Sequence, residues 1–262
     1  MSPLRHTLAD SATMLGRQLR HVRRNPNLTV LTIGTPVVIL LLFVYVFGGT
    51  LGAGLHGAGG RAEYLDYITP AIVVMAAVGT AQGTAMSVAA DMTGGIVARF
   101  RTMAISRGPV LAGHVFGGLI TSLLAMSAVL AVAMVLGYRP GAGPLGWFGL
   151  LGMLSLTAFA LAWLAVAFGL QARSVETATN LPMLLLLLTL LSSGFVPPDS
   201  MPSGLRWFAA HQAFTPVIDT VRSLLGDSAD EGTAPVAVGW CVAIALVGYL
   251  WSRSLYRRRS VG

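Results

Sequence analysis

The sequence predicts an all-α, polytopic membrane protein with six transmembrane helices, a basic amphipathic helix ahead of the first, and a proline-broken segment after the fifth. Three observations carry this fold class. Over the 262 residues the composition is 55% hydrophobic with mean hydropathy +0.73, and only 10% of residues are charged; a soluble domain averages about 25% charged. A bilayer core about 30 Å thick needs about 20 mostly apolar helical residues, and six runs meet that length. The arginines, finally, alternate in density between successive connections, as they do when such runs thread a membrane.

The runs lie at roughly 28–48, 65–90, 108–137, 144–170, 179–196 and 234–252. Val, Ile, Leu, Ala, Met and Phe fill them on all sides, the pattern of helices surrounded by lipid or by other helices. Barrel strands would instead alternate over about ten residues. The basic region before the first run and the length of that run exceed those of a cleaved leader, whose apolar stretch is about 7–15 residues, so 28–48 is expected to stay as the first span. The whole chain, 1–262, then reads as one transmembrane domain: 1–27 as a cytoplasmic amphipathic helix, 28–252 as the spans, and 253–262 as a cytoplasmic tail.

Every one of the 17 basic residues is Arg. Thirteen of them fall on one side of the threaded chain: Arg5, Arg17, Arg20, Arg23 and Arg24 before the first span, Arg99, Arg101 and Arg107 after the second, Arg173 after the fourth, and Arg253, Arg257, Arg258 and Arg259 in the tail. Only Arg61, Arg139, Arg206 and Arg222 fall on the other, together with seven acids. The positive-inside rule makes the arginine-rich side cytoplasmic, with both termini on it. The absence of Lys removes a Walker A lysine, a Schiff-base lysine and a lysine general base. The single cysteine, Cys241, removes disulfides within the chain, CxxC redox pairs and thiolate metal clusters.

Outside the spans, Leu4, Leu8, Ala12, Leu15, Leu19 and Val22 mark one apolar helical face ahead of an Asn25-Pro26-Asn27 break. A basic helix of this kind lies in the headgroup layer; a simple topology-setting tail is the alternative. Residues 48–60, GGTLGAGLHGAGG, contain a G-x-G-x-x-G match at Gly52, Gly54 and Gly57. With no strand before it, the match is not a dinucleotide fingerprint, and a flexible external loop is expected there. The loop from Asp91 to Arg107 places Ile96, Phe100 and Met103 on one face between Arg99 and Arg101. An ordinary positive-inside loop accounts for the arginines; a docking ridge for a soluble partner accounts for Phe100 and Met103 as well. Residues 193–226 hold Pro197, Pro198, Pro202 and Pro216 with Trp207 and Phe208. They are too broken to span and too apolar for a free loop, so two short helices dipping into the outer leaflet are expected.

The spans are almost free of ionisable groups. Asp66 and Asp91 fall at the ends of the second, Glu176 just before the fifth, and His114 near the start of the third is the exception, expected to be satisfied locally or to snorkel. A proton-coupled carrier, an intramembrane protease and a metalloenzyme each need groups the spans lack, and the five histidines show no metal-ligand spacing. Gly79-x-x-x-Gly83 and Gly113-x-x-x-Gly117 signal close helix packing. Gln82, Thr84, Asn180, Thr189 and Ser192 either line a passage or bond to neighbouring backbone.

Taken together, the amphipathic start, the six spans, the loop after the second and the broken segment after the fifth resemble the ABC type-2 transporter permeases, in particular the daunorubicin/doxorubicin-exporter membrane subunits of actinobacteria. The most specific part is Ser193-Gly194-Phe195-Val196-Pro197, then Met201-Pro202, Trp207, and Pro216-Val217 ahead of an Arg-containing helix with Arg222. Thr215 stands where the family usually has Asn, Ala98 where it has Glu, and Ala104 near where Pro is common, while Gly95 and Arg99 fit the pattern.

The resemblance implies the membrane half of an ATP-driven exporter in the bacterial plasma membrane, without catalytic residues, metal or cofactor of its own. ATP and Mg would sit on two copies of a separate ABC ATP-binding subunit. The second permease would be this chain again or a homologue; membrane lipid and a hydrophobic small molecule are further expected partners, and nucleic acid is not. Residues 1–27 would be the connecting helix and 92–106 the coupling helix, with Gly95, Arg99, Phe100, Arg101 and Met103 meeting the ATPase. The path would run between the second and fifth spans at the dimer axis, past Met75, Val78, Gln82, Met86, Leu184, Leu188, Thr189 and Ser192. Phe195, Pro197, Pro198, Met201 and Pro202 would form an outer gate. A lining of this kind favours apolar or amphipathic cargo, because polar groups lose hydration there, and methionines adapt to varied shapes. A polysaccharide or glycolipid cargo in the same family, and a membrane scaffold without transport, are the competing readings.

Overall fold

A computed structural model describes residues 26–55, 60–93, 107–226 and 232–259. Every regular element among them is helical: α1 (Pro26–Leu42), a π-helical turn (Phe43–Phe47), α2 (Gly48–Leu55), α3 (Gly60–Thr93), α4 (Arg107–Val135), α5 (Pro144–Gln171), α6 (Val175–Leu190), a 3-10 turn (Pro198–Ser200), α7 (Ser203–His211), α8 (Phe214–Leu225) and α9 (Thr233–Arg259).

Among the described residues, five segments are long and apolar enough to cross a membrane: Thr32–Thr50, Gly60–Thr93, Leu111–Val135, Pro144–Gln171 and Thr233–Arg257. The remaining expected span is shorter and shifted. It starts at Val175, where the Ser174 hydroxyl accepts the Thr177 N–H at 3.2 Å, and it ends at Leu190 rather than 196. Its 16 residues rise about 24 Å at 1.5 Å each, less than a bilayer core. Local bonding stops the helix: Ser192 Oγ donates to Thr189 O at 2.5 Å and accepts the Gly194 N–H at 3.2 Å, an alternative to the helical ladder. Pro197 and Pro198 then follow, neither able to donate a backbone bond.

A second correction concerns residues 48–55 of the stretch 48–60 expected as a flexible loop; 56–59 lie outside the described residues. The first span instead continues through the π turn into α2, helical as far as Leu55. Gly52 and Gly60 come so close that a Cβ on Gly52 would lie 1.9 Å from Gly60 O, and Gly60 itself takes φ +55°. Only glycine meets both conditions without strain.

α3 is the central element. It packs against α4, α5 and α6, with α1, α2 and α8 around it, and its side chains are buried along most of its length. At 34 residues it is about 51 Å long, so it reaches beyond the apolar layer at its ends. Its buried threonines are satisfied within the helix, Thr69 donating to Leu65 O at 2.7 Å and Thr84 to Thr80 O at 3.0 Å, as an anhydrous interior requires. Close packing does occur at glycines, but not at one of the two expected pairs: nothing lies within 4 Å of a Cβ built on Gly79 or Gly83, whereas Gly113 and Gly117 are buried. Such a Cβ would instead meet Thr84 Oγ1 at 2.8 Å from Gly118, Ala85 O at 2.6 Å from Gly169, and Leu164 N at 2.7 Å from Gly248. These glycines join α4 to α3, α5 to α3 and α9 to α5. Edge-on contacts of Trp163 with Tyr249 and of Phe168 with Trp251 extend the last pairing.

Residues 193–226 form two short helices, α7 and α8. α8 buries Phe214, Val217, Ile218, Val221 and Leu225 against α3, α5 and α9. α7 keeps Leu205, Trp207 and Phe208 exposed.

Candidate functional site

The α3–α6 contact brings the expected path residues to one region without making them equivalent. Gln82 Nε2 donates across it to Thr179 O at 3.3 Å. Met75 and Val78 are buried, Met86 and Leu188 half-buried, and Leu184 is 60% exposed on a stripe with Met183, Leu187, Leu190 and Leu191. Thr189 and Ser192 are fully buried, and their hydroxyls bond to Leu185 O and Thr189 O of their own segment. Of the two roles open to them in sequence, backbone bonding is the one seen. Asn180 is exposed.

At the end of α6 the chain makes a junction of three elements centred on Ser193. Its N–H donates to Thr215 Oγ1 at 3.2 Å, and its hydroxyl donates to Asp219 Oδ1 at 2.9 Å. Its carbonyl accepts from the Tyr67 hydroxyl and, at 3.4 Å, from Arg222 Nη2. Arg222 also donates through Nη1 to Asp219 Oδ1 at 2.5 Å and through Nη2 to Tyr67 O at 3.4 Å. Its guanidinium carbon stands 4.5 Å from the centre of the Tyr67 ring, within cation–π range. The ion pair is partly open, each side chain 30% exposed, whereas Arg222 Nε is buried without a partner.

Neighbouring residues reinforce the junction. Gly194 is wedged where a Cβ would lie 2.5 Å from Ala71 Cβ and 3.0 Å from Ile218 Cδ1. Gln212 Nε2 donates to Leu188 O at 2.8 Å. Leu188 O needs this donor because the Ser192 N–H turns to Thr189 O. In the connection after α4, the Tyr138 hydroxyl is pushed up to about 12, chiefly by burial and then by the Asp66 carboxylate, with the Arg222 cation opposing; it stays a neutral phenol under ordinary conditions. Of the expected gate residues, Phe195 is buried with its ring edge-on to Phe43 at 5.4 Å, in the π turn. Pro197, Pro198 and Met201 are partly exposed and Pro202 is exposed. Sequence reasoning placed Arg222 only as a family feature and did not select Tyr67, Ser193 or Asp219 as a unit. The one local signal was the Asp219/Arg222 spacing of three on a helix.

At the opposite end of α3, His114 Nε2 lies 3.1 Å from Asp91 Oδ2, tying α4 to α3. His114 is buried, and its Nδ1 has no partner. The histidine expected to be satisfied or to snorkel is therefore held by a carboxylate on the helix that enters the next connection. Gly95, Arg99, Phe100, Arg101 and Met103 in that connection lie outside the described residues, as does the amphipathic stretch before Pro26.

The sequence matches the ABC-2 type transporter family over residues 11–225. The chain belongs to that family. Among curated relatives, this ABC-2 chain is 28% identical to the daunorubicin resistance ABC transporter permease protein DrrB1 of Streptomyces coeruleorubidus, covering 98% of this chain and 90% of the relative. It is 21% identical to a probable doxorubicin resistance ABC transporter permease protein of Mycobacterium tuberculosis, with 97% and 90% covered. The family match, the named relatives and the apolar helices together make it a multi-pass membrane permease of the ABC type, similar to drug-resistance transporters. Permeases of this family lack an ATPase site of their own. The match spans both the α3–α6 contact and the Ser193 junction.

Proposed function

We propose that this chain is the permease subunit of an ATP-driven exporter that moves hydrophobic or amphipathic compounds, a drug, an antibiotic or a lipid, out of the bacterial cell. The similarity to a daunorubicin resistance permease along 98% of the chain carries the reading. The near absence of ionisable groups from the spans supports it, since a carrier without intramembrane charge needs an outside energy source. Two ATP-binding subunits supply ATP and Mg, and a second permease meets the exposed apolar face of α6. The arginine-rich side, with both termini, is cytoplasmic; α7 and α8 lie on the outer side, with Trp207 and Phe208 at the lipid interface. Cargo passes between α3 and α6, past Met75, Val78, Gln82, Met86, Leu184 and Leu188, to a gate at Phe195, Pro197, Pro198, Met201 and Pro202. Gly95, Arg99, Phe100, Arg101 and Met103 couple the permease to the ATPase.

The test is co-purification in detergent with an ABC ATP-binding subunit from the same genome, followed by ATPase assays in liposomes. A stable complex whose hydrolysis is stimulated by hydrophobic drugs is expected. Phe100→Asp is expected to leave hydrolysis but abolish drug transport, because a carboxylate replaces the apolar contact at the docking ridge. No complex with any ATPase would favour a membrane scaffold, and stimulation by glycolipid alone would move the cargo to that class.

A further inference from the structure

We propose that the Ser193 junction is the latch of the outer gate and that Arg222 is its positioning residue: the Arg222 guanidinium, clamped between Asp219, the Tyr67 ring and the carbonyls of Ser193 and Tyr67, holds the end of α6 against α3 and closes the path between them. The proposal rests on the exporter reading for its purpose and names residues which that reading does not use.

The chemistry of the cradle is one-sided. Asp219 Oδ1, Ser193 O, Tyr67 O and the face of the Tyr67 ring are all electron-rich and all turned to one cation. The backbone N–H, hydroxyl and carbonyl of Ser193 are all engaged, the first two by α8 and the carbonyl by both α3 and α8. If Arg222 withdraws, the Ser193 and Tyr67 carbonyls each lose a donor, Asp219 loses its counter-charge, and the Tyr67 ring loses the cation over its face.

The bonds also differ in strength in a way that suits a latch. The ion pair is 2.5 Å long, but the two Arg222 bonds to carbonyls are 3.4 Å and the pair is 30% exposed on each side. Long, partly hydrated bonds exchange with water at little net cost. The apolar packing of Gly194 between Ala71 and Ile218 has no such substitute and requires close approach. The polar set therefore releases first, and the packed glycine restores a single closed register.

Labelling of a buried cysteine tests this without an ATPase or a cargo. In a Cys241→Ser background, Met75→Cys places a thiol on α3, buried in the closed form and eight residues, about 12 Å, inward from Tyr67. A charged, membrane-impermeant methanethiosulfonate is added outside intact cells. Slow labelling is expected with Arg222 present. Arg222→Ala is expected to raise the rate about tenfold or more as the open population grows, and millimolar methylguanidinium to return it toward the starting rate by refilling the cradle. A rise caused by general loosening of the fold around the shortened side chain would not be reversed by a free cation. Tyr67→Phe and Asp219→Asn, which keep shape and remove one partner each, are expected to raise the rate less; they decide the matter if Arg222→Ala does not fold. Unchanged labelling in folded variants, or a rise that methylguanidinium does not reverse, overturns the latch. Either result leaves the exporter reading to its own ATPase test.

Discussion

His114 shows how much a single side chain can determine at the boundary of an apolar interior. A buried imidazole stripped of its partner loses its hydrogen bond and keeps its desolvation. The Asp91 carboxylate 3.1 Å away supplies that partner from the neighbouring helix. His114→Leu is expected to lower the stability of the detergent-solubilised protein by about 1–3 kcal/mol, because it removes the imidazole from the Asp91 carboxylate, and Asp91→Asn by less, because an amide still accepts from Nε2–H. Thermal unfolding of the purified variants checks both; an unaltered midpoint for His114→Leu would remove the pair from the stability account. At this scale the sequence was legible where chemistry was local. Thr189 and Ser192 bond within four residues, a habit their side chains carry with them. Tyr67, Ser193 and Asp219 were not legible as a unit, because Tyr67 and Ser193 are 126 residues apart and Ser193 and Asp219 are 26 apart. No pattern along the chain announces such a meeting.

Among elements, the packing of α3 decides the architecture. α4 and α5 reach it through Gly118 and Gly169, and in α4 the approach is accompanied by a Thr80–Ser122 hydroxyl pair and the Asp91–His114 contact. Three antiparallel meetings along one interface make α3 and α4 a stiff hairpin, and that hairpin brackets the connection that carries Phe100. Gly169→Ala is expected to destabilise by about 1–3 kcal/mol through overpacking, since its methyl would press on the Ala85 carbonyl and Val88. Gly79→Ala is expected to be neutral or stabilising by up to about 1 kcal/mol, since nothing meets the added methyl and the helix gains propensity. Equal losses in the two variants, measured by the same unfolding assay, would contradict the packing described here. Hydrophobic run length located the helices well, since bilayer thickness is a strong constraint. It misjudged α6 by several residues at each end, because Ser174, Ser192 and Pro197 set those ends by local bonding within otherwise apolar sequence. Of the two G-x-x-x-G pairs, Gly79 and Gly83 meet nothing while Gly113 and Gly117 are buried, because spacing shows which residues could allow close approach and not which face is used.

For the molecule as a whole, a buried α3 stands among helices whose outward faces are apolar: Val38, Leu42 and Val46 in the first span, Leu184 and Leu187 in α6, Leu246 and Leu250 in α9. Such faces belong to lipid or to a second permease, since no aqueous surface of this size would stay monomeric. The two ion pairs described above lie at the two ends of α3, Asp219–Arg222 of the Ser193 junction at one and Asp91–His114 at the other. On the function proposed above, this division gives an outer closure and an inner drive as separate devices joined by one long helix. The central claim, ATP-driven movement of apolar cargo out of the cell, is tested most directly by uptake of daunorubicin into inside-out membrane vesicles containing this chain and its ATP-binding subunit. The account predicts accumulation that requires ATP and both subunits and is lost when either is omitted. Equal fluorescence quenching with and without this chain, at matched levels of the ATPase, would contradict it.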